Sequence, residues 1–599
     1  MSDFLLDLRP PDKRSLERVA SRLRWVDDGG VEVYDRHAFG LVIAYTGDPV
    51  YWAPFRSADS TVVAVAGRLA FDETDWDAAS SIERGGGLAA KAVYARYERD
   101  GAAALESLNG NFVVIVCDEA RRQLLLATDY CGAFPAFVAQ SGAGTVYGSH
   151  PDVLADAADE RHRIDETSLA EFLLAGTVTP PFSFYERVQA VGFGSVLTHD
   201  LIDGRPATVR ERRYFTFDYR GDEQLREADL ADELAGAIRR AVRRRTLPRL
   251  GPAAVALSGG LDSRVVLASS VDRTGTFAFS CYDEPNREFM VAESIARRLS
   301  SRFLPLRRGP DYYAENAEQG VRISGGMGTF ANNHFLGVIP RLKQEGMASL
   351  LTGCYCDYLF KGLPLNRRTH WLTRREHLAP FEHRFYFDHF PSTTALAARA
   401  RERVETRVPA EYRAQDSPDS IFHVEARRTF PVCYEGDNQQ RLVPQRTCGW
   451  SPPFLDRDVI GVYCRVPYHY KLSRSLFRKT VVAAAPELRG IPDANTAAAA
   501  DASEAWRWVR STQLRLERKW QRLRGSGVSH ESWPDWRHYL RHSPQLDAMW
   551  KRPNADAQDL FRLVLGESAV PDDAGELKRE QPLLFISLLS LKIWLDIRR

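Results

Sequence analysis

The sequence predicts a two-part α/β protein: an N-terminal β-sandwich with helices, then a parallel-sheet unit with a large helical extension. Three observations lead there. Short apolar runs bounded by turn residues crowd residues 1–205, the rhythm of sheets packed face to face. From residue 226, buried-strand and helix patterns alternate, as parallel strands joined by helical crossovers do. From about 365 to 599 the pattern is largely helical and rich in Arg and Trp. A chain of 599 residues also exceeds what one core fills. The expected division is 1–205, a linker over 206–225, and 226–599.

In chain order, the strand-like runs are VEVYD, FGLVIAY, STVVAVAG, NFVVIVCD, QLLLATD, GTVYGS and GSVLTHD. Helical patterns interrupt them at 87–108 and 165–176. Residues 202–225 lose the rhythm, which is why the linker is placed there. The second part opens with the helix pattern LREADLADELAGAIRRAVRRR, followed by a strand AAVALSGG and a helix SRVVLASSV. Strand TFAFSCYD, helix REFMVAESIARRLSS and strand RFLPLR continue the alternation.

Composition narrows the class. Apolar residues make up 44% and charged residues 27%, an ordered globular balance. Lys+Arg number 80 against 79 Asp+Glu, so nothing global asks for a polyanionic partner, and nucleic acid is not expected. The eight cysteines include no CxxC pair, which argues against a disulfide or zinc framework. The opening MSDFLLDLRPPDKR lacks a basic segment followed by an apolar run, so no secretory signal is read. The apolar stretch Pro582 to Ile597 is short of a membrane span and holds Lys592 and Asp596. It reads as a buried terminal helix in a cytoplasmic protein with no membrane partner.

The segment that carries chemistry is Ala253-Ala-Val-Ala-Leu-Ser-Gly-Gly-Leu-Asp-Ser-Arg264. A buried strand ends at Ser258-Gly259-Gly260, and a helix begins near Asp262-Ser263. The glycines permit a tight turn, and the N–H groups of the turn and first helical turn can then meet an anion. Ser258 and Ser263 add hydroxyl donors. A carboxylate at Asp262 fits beside a phosphate when a divalent cation lies between them. The residues thus describe a nucleotide phosphate site with a magnesium ligand. The Walker pattern and GxGxxG are both absent.

SGGLDS after a buried strand resembles the loop of ATP-pyrophosphatases, which cleave ATP between its α- and β-phosphates. Thr352-Gly-Cys-Tyr-Cys-Asp357-Tyr-Leu-Phe-Lys-Gly362 resembles the second magnesium motif of the asparagine synthetase family, and Pro453-Phe-Leu-Asp456 its PFLD element. Leu108-Asn-Gly-Asn-Phe112, Thr128-Asp-Tyr-Cys-Gly132 and Tyr147-Gly-Ser149 are similar to that family's amidotransferase domain. The resemblance spans nearly the whole chain in the expected order. It implies an Ntn-hydrolase-like first domain and a PP-loop, adenine-nucleotide α-hydrolase-like second domain. ATP and Mg2+ are the implied cofactors. The implied ATP contacts are Leu257 to Ser263, Phe279, Thr352 and Gly353, with Asp262 and Asp357 holding the metal.

The sequence also departs from the family. Glutamine-dependent members begin with a nucleophilic cysteine, whereas this chain begins Met1-Ser2-Asp3 and has no cysteine before Cys117. Ala66-Gly67-Arg68-Leu69 stands where Asn-Gly-Glu is usual, so an oxyanion donor is missing too. Cys354 and Tyr358 replace acidic neighbours of Asp357. Where a lysine normally opens a Lys-x-x-x-Arg element, Arg474 stands, with Lys471 and Lys479 as alternative sources of charge. Arg474, Lys479 and Asp357 are therefore the expected catalytic residues.

The resemblance implies a carbon–nitrogen ligase that adenylates a carboxylate, releases pyrophosphate, and couples the acyl group to an amine or ammonia without its own glutaminase. That description resembles the β-lactam synthetases and lasso-peptide cyclases. The expected partners are a small-molecule or peptide carboxylate and amine, with a leader peptide or carrier protein. The alternatives are an asparagine synthetase using ammonia or glutamine, a transfer-RNA-modifying enzyme sharing the loop, and a catalytically impaired scaffold.

Other features read more simply. Cys354 and Cys356 lack further ligands at metal spacing and are expected as small buried residues. His370, His377, His383 and His389 match no ligand pattern. The basic helix from Trp506 to Arg524 reads as a solvated face over an apolar stripe.

Overall fold

The computed structural model describes residues 2–202, 205–369, 376–379, 394–413, 418–523, 533–566 and 574–598. Its opening strand, Asp3–Asp7, shows how the first half is layered. Phe4 and Leu6 enter one apolar core and Leu5 another, because successive strand residues face opposite ways. Apolar burial on both faces explains why DFLLD carries no alternating signal in the sequence.

Among the described residues, two six-stranded sheets form the first half. In one, Asp3–Asp7 lies between Gly40–Tyr45 and Gly144–Gly148, antiparallel to both. The other centres on Thr61–Leu69, Gly110–Asp118 and Gln123–Thr128. Leu41 and Ile43 of the first sheet share one apolar core with Val63, Val65, Val114 and Leu126 of the second.

The second sheet closes with the antiparallel pair Ser195–Ile202 and Arg205–Arg213. The boundary expected at 205 therefore falls inside this pair, and sheet structure continues to Arg213. The last strand, RPATVRERR, is charge-laden, as an edge strand should be, so its sequence looks like linker.

In the second half, Phe303–Arg307, Phe277–Tyr282, Ala253–Ala256 and Ser349–Leu351 lie side by side, all parallel. The sequence order reverses between the last two, which opens a crevice at their C-terminal ends where ligands settle in such sheets. The terminal helix Pro582–Ile597 is buried as expected, and Lys592 donates to Met549 O at 2.7 Å. Among the described residues, no helix is long and apolar enough to cross a membrane.

The PFLD aspartate joins the two halves. Asp456 is fully buried and accepts from Arg245 Nη1 at 2.6 Å, Arg244 Nη1 at 3.0 Å and Asn109 Nδ2 at 2.9 Å. It also caps the helix Arg457–Tyr463 through Asp458 N–H. Asp456→Ala leaves the buried Arg245 guanidinium uncompensated, so we expect about 3–5 kcal/mol of destabilisation. Denaturant unfolding measures this, and an unchanged midpoint would contradict the role given to Asp456.

Candidate active site

After the strand Ala253–Ala256, the chain turns into the helix Leu261–Ala268. The turn is held by its own serines: Ser258 N–H donates to Ser263 Oγ at 2.9 Å, and the two hydroxyls lie 2.9 Å apart. Gly260 N–H donates to Ser258 Oγ at 3.2 Å. No side chain caps the helix, which leaves its first-turn N–H groups suited to an anionic ligand.

Two glycines are required by close approach. A Cβ on Gly259 would sit 2.5 Å from Ala494 Cβ, and one on Gly353 would sit 2.8 Å from Asp262 Cβ. A bare Gly353 lets the segment after Ser349–Leu351 lie against the phosphate-type loop. The buried Arg264 then staples that loop, donating to Gly259 O, Gly260 O and Pro492 O at 3.0 Å and to Ile491 O at 3.1 Å.

A cavity of about 480 Å3 opens at this sheet edge. Lys361 Nζ lies 2.5 Å from Asp262 Oδ1 and 2.9 Å from Asp357 Oδ1. Burial pushes Asp262 up to about 6 even though Lys361 pulls it down. Burial disfavours the Lys361 ammonium most strongly, but its acidic neighbours, Asp262 foremost and then Asp357, together hold the lysine above its ordinary value. The three groups form a compact charged cluster at the mouth of the loop.

The donor set fits magnesium as nucleotide sites use it. Mg2+ is usually held by one or two carboxylates plus substrate phosphates rather than by a protein cage. Asp262 and Asp357 both reach one lysine nitrogen, so they converge closely enough to share a cation. Among the described residues, no group of three or more His, Cys, Asp or Glu side chains is placed to hold a metal alone.

On the other wall, Tyr358 Oη donates to Glu435 Oε1, and Arg441 Nη1 pairs with Glu435 Oε2. Burial, then Glu435, pushes the Tyr358 phenol well above its ordinary value, so it is neutral near pH 7. His334 also lines the cavity; its Nδ1 meets Tyr313 Oη at 2.7 Å, and its buried Nε2 has no hydrogen-bond partner.

Most of the expected contacts converge here. Leu257, Ser258, Gly260, Leu261, Asp262 and Ser263 line the cavity, as do Phe279, Thr352, Gly353 and Asp357. Gly259 is not among the lining residues and packs against Ala494 instead. Phe279 is buried, and its carbonyl accepts from Leu257 N–H at 2.8 Å.

The expected cations do not converge. Arg474 sits at a left-handed junction between two helices, with φ of 56°, and does not line the cavity. Lys479 pairs with Glu227 on the long helix Glu227–Arg245. Lys471 is fully buried against Glu425 at 2.8 Å. Lys361 lines the cavity instead, with Arg308 and Arg441. Phe477, on the helix that follows Arg474, packs its ring 5.2 Å from the Lys361 nitrogen.

Cys356 is buried and Cys354 half-buried beside the cavity. His370, His383 and His389 lie outside the described residues, as does the side chain of His377. The basic helix spans Glu504–Leu523 and exposes Trp506, Trp508 and Trp520.

Sequence reasoning missed Lys361, although it stands four residues after Asp357, the spacing that brings two side chains together on one helical face. Glu435, Arg441 and His334 carried no local signal, because only tertiary packing brings them to the site.

Two family models match the chain: a glutamine amidotransferase domain over residues 90–214 and asparagine synthase over residues 233–555. Asparagine synthetase [glutamine-hydrolyzing] 3 of Bacillus subtilis (strain 168) is 29% identical over 169 residues, covering 27% of this chain and 26% of that protein. A putative asparagine synthetase [glutamine-hydrolyzing] of Mycobacterium bovis is 24% identical over 289 residues, covering 46% and 43%. The match thus spans less than half the length of these relatives. A glutamine phosphoribosylpyrophosphate amidotransferase from B. subtilis, solved with ADP and GMP, overlaps 59% of this chain and 81% of its own at 11% identity, with a TM-score of 0.27. The asparagine synthase model covers more than half of the sequence and spans the loop, the Asp262–Asp357–Lys361 cluster and the Tyr358–Glu435 pair, and the chain belongs to the asparagine synthase family.

Proposed function

We propose that the protein is an ATP-dependent, AMP-forming amide synthetase. It adenylates a carboxylate and transfers the acyl group to an amine or ammonia without glutaminase activity of its own. The observation that carries this reading is the uncapped start of the loop helix, with Asp262 on its first turn and Asp357 and Lys361 gathered beside it in one cavity.

The substrate carboxylate attacks the α-phosphorus of ATP, and the bond to the β-phosphate oxygen breaks. The loop N–H groups and serine hydroxyls bind the departing pyrophosphate. Asp262 and Asp357 would hold Mg2+, which when bound would neutralise charge on the phosphates. Lys361 adds a fixed positive charge where negative charge grows.

The amine then attacks the acyl carbonyl, forming the amide and releasing AMP and one proton. Tyr358 takes that proton as it passes its own to Glu435. Arg441 holds the other oxygen of Glu435, and the chain of hydrogen bonds forms a relay. Tyr358→Phe is expected to slow amide formation by about 100- to 10,000-fold while carboxylate-dependent ATP–pyrophosphate exchange persists. Equal loss of both would remove Tyr358 from the second step.

Arg68 supports a first domain without glutaminase activity. Its buried guanidinium pairs with Asp48, lies 4.6 Å over the Tyr51 ring and donates to Ala348 O at 2.7 Å. It packs against Gly449, whose missing side chain makes room for it. A side chain committed to bridging the halves in this way offers no acidic group to a glutamine substrate. Glutamine-hydrolysing asparagine synthesis, the activity in the relatives' names, is thereby disfavoured, and specialised small-molecule or peptide amide formation in the cytoplasm is the preferred setting. Glutamate release from glutamine by the purified protein would overturn this part.

A further inference from the structure

The structure assigns a second ligand site, for a small anion of phosphate chemistry carrying two or more negative charges. It is a cavity of about 490 Å3 that shares no lining residue with the catalytic cavity. Its walls come from both halves: helices Leu16–Leu23 and Pro151–Ala157 on one side, and Ala317–Ser324 and Pro582–Ile597 on the other.

Charge is the first argument. Arg18, Arg22, Arg161, Arg322 and Arg598 line the cavity against two carboxylates, Asp152 and Asp156. Asp156 is shared, 3.5 Å from Arg18 and 2.8 Å from Arg22. Asp152 accepts from Tyr185 Oη at 3.0 Å and Trp594 Nε1 at 3.2 Å. Arg598 lies over the Trp594 ring and donates to Arg161 O at 2.8 Å. Among the described residues, no carboxylate lies within ion-pair distance of Arg161, Arg322 or Arg598. Asp556 lines a smaller adjoining cavity with Arg161 and Arg598. Three positive charges thus remain in excess around one hollow.

A buried acceptor is the second, independent argument. His150 is 2% exposed and lines the cavity. Its Nε2 lies 3.0 Å from Arg322 O, and because a carbonyl only accepts, Nε2 carries the proton. Nδ1 is then an acceptor, and it is buried without a hydrogen-bond partner. A ligand hydroxyl or protonated phosphate oxygen would satisfy it. Trp25 stacks on this ring at 5.1 Å and fixes its plane.

Phosphate chemistry suits this arrangement better than a single carboxylate. One phosphoryl group presents several oxygens and up to two charges to converging guanidiniums, whose forks match it in pairs. A bound ligand would also tie together two halves that meet at this seam. Helix Ala317–Ser324, which carries Arg322, is followed about ten residues later by His334 and Phe335 of the catalytic cavity.

The test is calorimetry on the full chain in metal-free buffer at fixed ionic strength, with pyrophosphate, inorganic phosphate and citrate as probes. With the catalytic cavity already filled by a non-hydrolysable ATP analogue, pyrophosphate is still expected to bind wild type. Arg322→Ala/Arg598→Ala, checked by circular dichroism, is expected to raise its Kd at least about tenfold, and Arg161→Gln to raise it less. An unchanged Kd in both arginine variants overturns the site, as does no binding to wild type at ~10 mM pyrophosphate. Binding of citrate without pyrophosphate overturns the phosphate assignment.

Discussion

Asp262→Asn is expected to reduce carboxylate-dependent ATP–pyrophosphate exchange by about 1,000-fold while leaving the fold intact. The substitution keeps the side chain's size and removes the charge that faces both Lys361 and the phosphates. Asp262 lies on the first turn of the loop helix, 2.5 Å from Lys361 Nζ, with its Cβ against Gly353. The amide cannot help neutralise a cation shared with ATP, and it pairs only weakly with Lys361. Exchange kinetics and circular dichroism measured together separate this loss from unfolding. Exchange within tenfold of wild type would exclude Asp262 from the chemistry.

Lys361→Met should cost about 100- to 1,000-fold in the same assay, because it removes a preorganised cation from a site that excludes much of the water. Lys479→Met provides the contrast. Its ion pair with Glu227 is half exposed, and such pairs contribute about 0–1 kcal/mol, so exchange should stay near wild type. The two variants discriminate between the lysine that the sequence suggested and the one that the fold brings to the cavity. A large loss in Lys479→Met with none in Lys361→Met would reverse the assignment.

The sequence made the phosphate-type loop legible because its function rests on backbone. A strand, two glycines and a helix start are local features, and Ser258 to Ser263 fall where that pattern places them. Asp357 was legible for the same reason. The cation was not, because the resemblance pointed to a helix whose lysine pairs with Glu227, while Lys361 sits inside a motif read for its aspartate. Glu435 and Arg441 are about 80 residues from Tyr358, and no local pattern encodes an encounter of that range.

The fold shows the same division. Strands with one polar face, such as Gly30–Asp35, announced themselves, and so did helices with one apolar stripe, such as Glu227–Arg245. Asp3–Asp7 is buried on both faces, and Arg205–Arg213 is a charged edge, so neither alternates. The PFLD segment was legible as a motif, but its role as a buried junction emerges only when Arg245 and Asn109 arrive from elsewhere in the chain.

ATP–pyrophosphate exchange reads adenylation without the second step. The assay pools amino acids, β-amino acids and acidic peptides, with and without glutamine, using wild type, Asp262→Asn and Lys361→Met. Exchange is expected to depend on one carboxylate, to ignore glutamine and to be lost in both variants. ATP binding without exchange in any pool, or exchange that survives Asp262→Asn, would contradict the proposed adenylation.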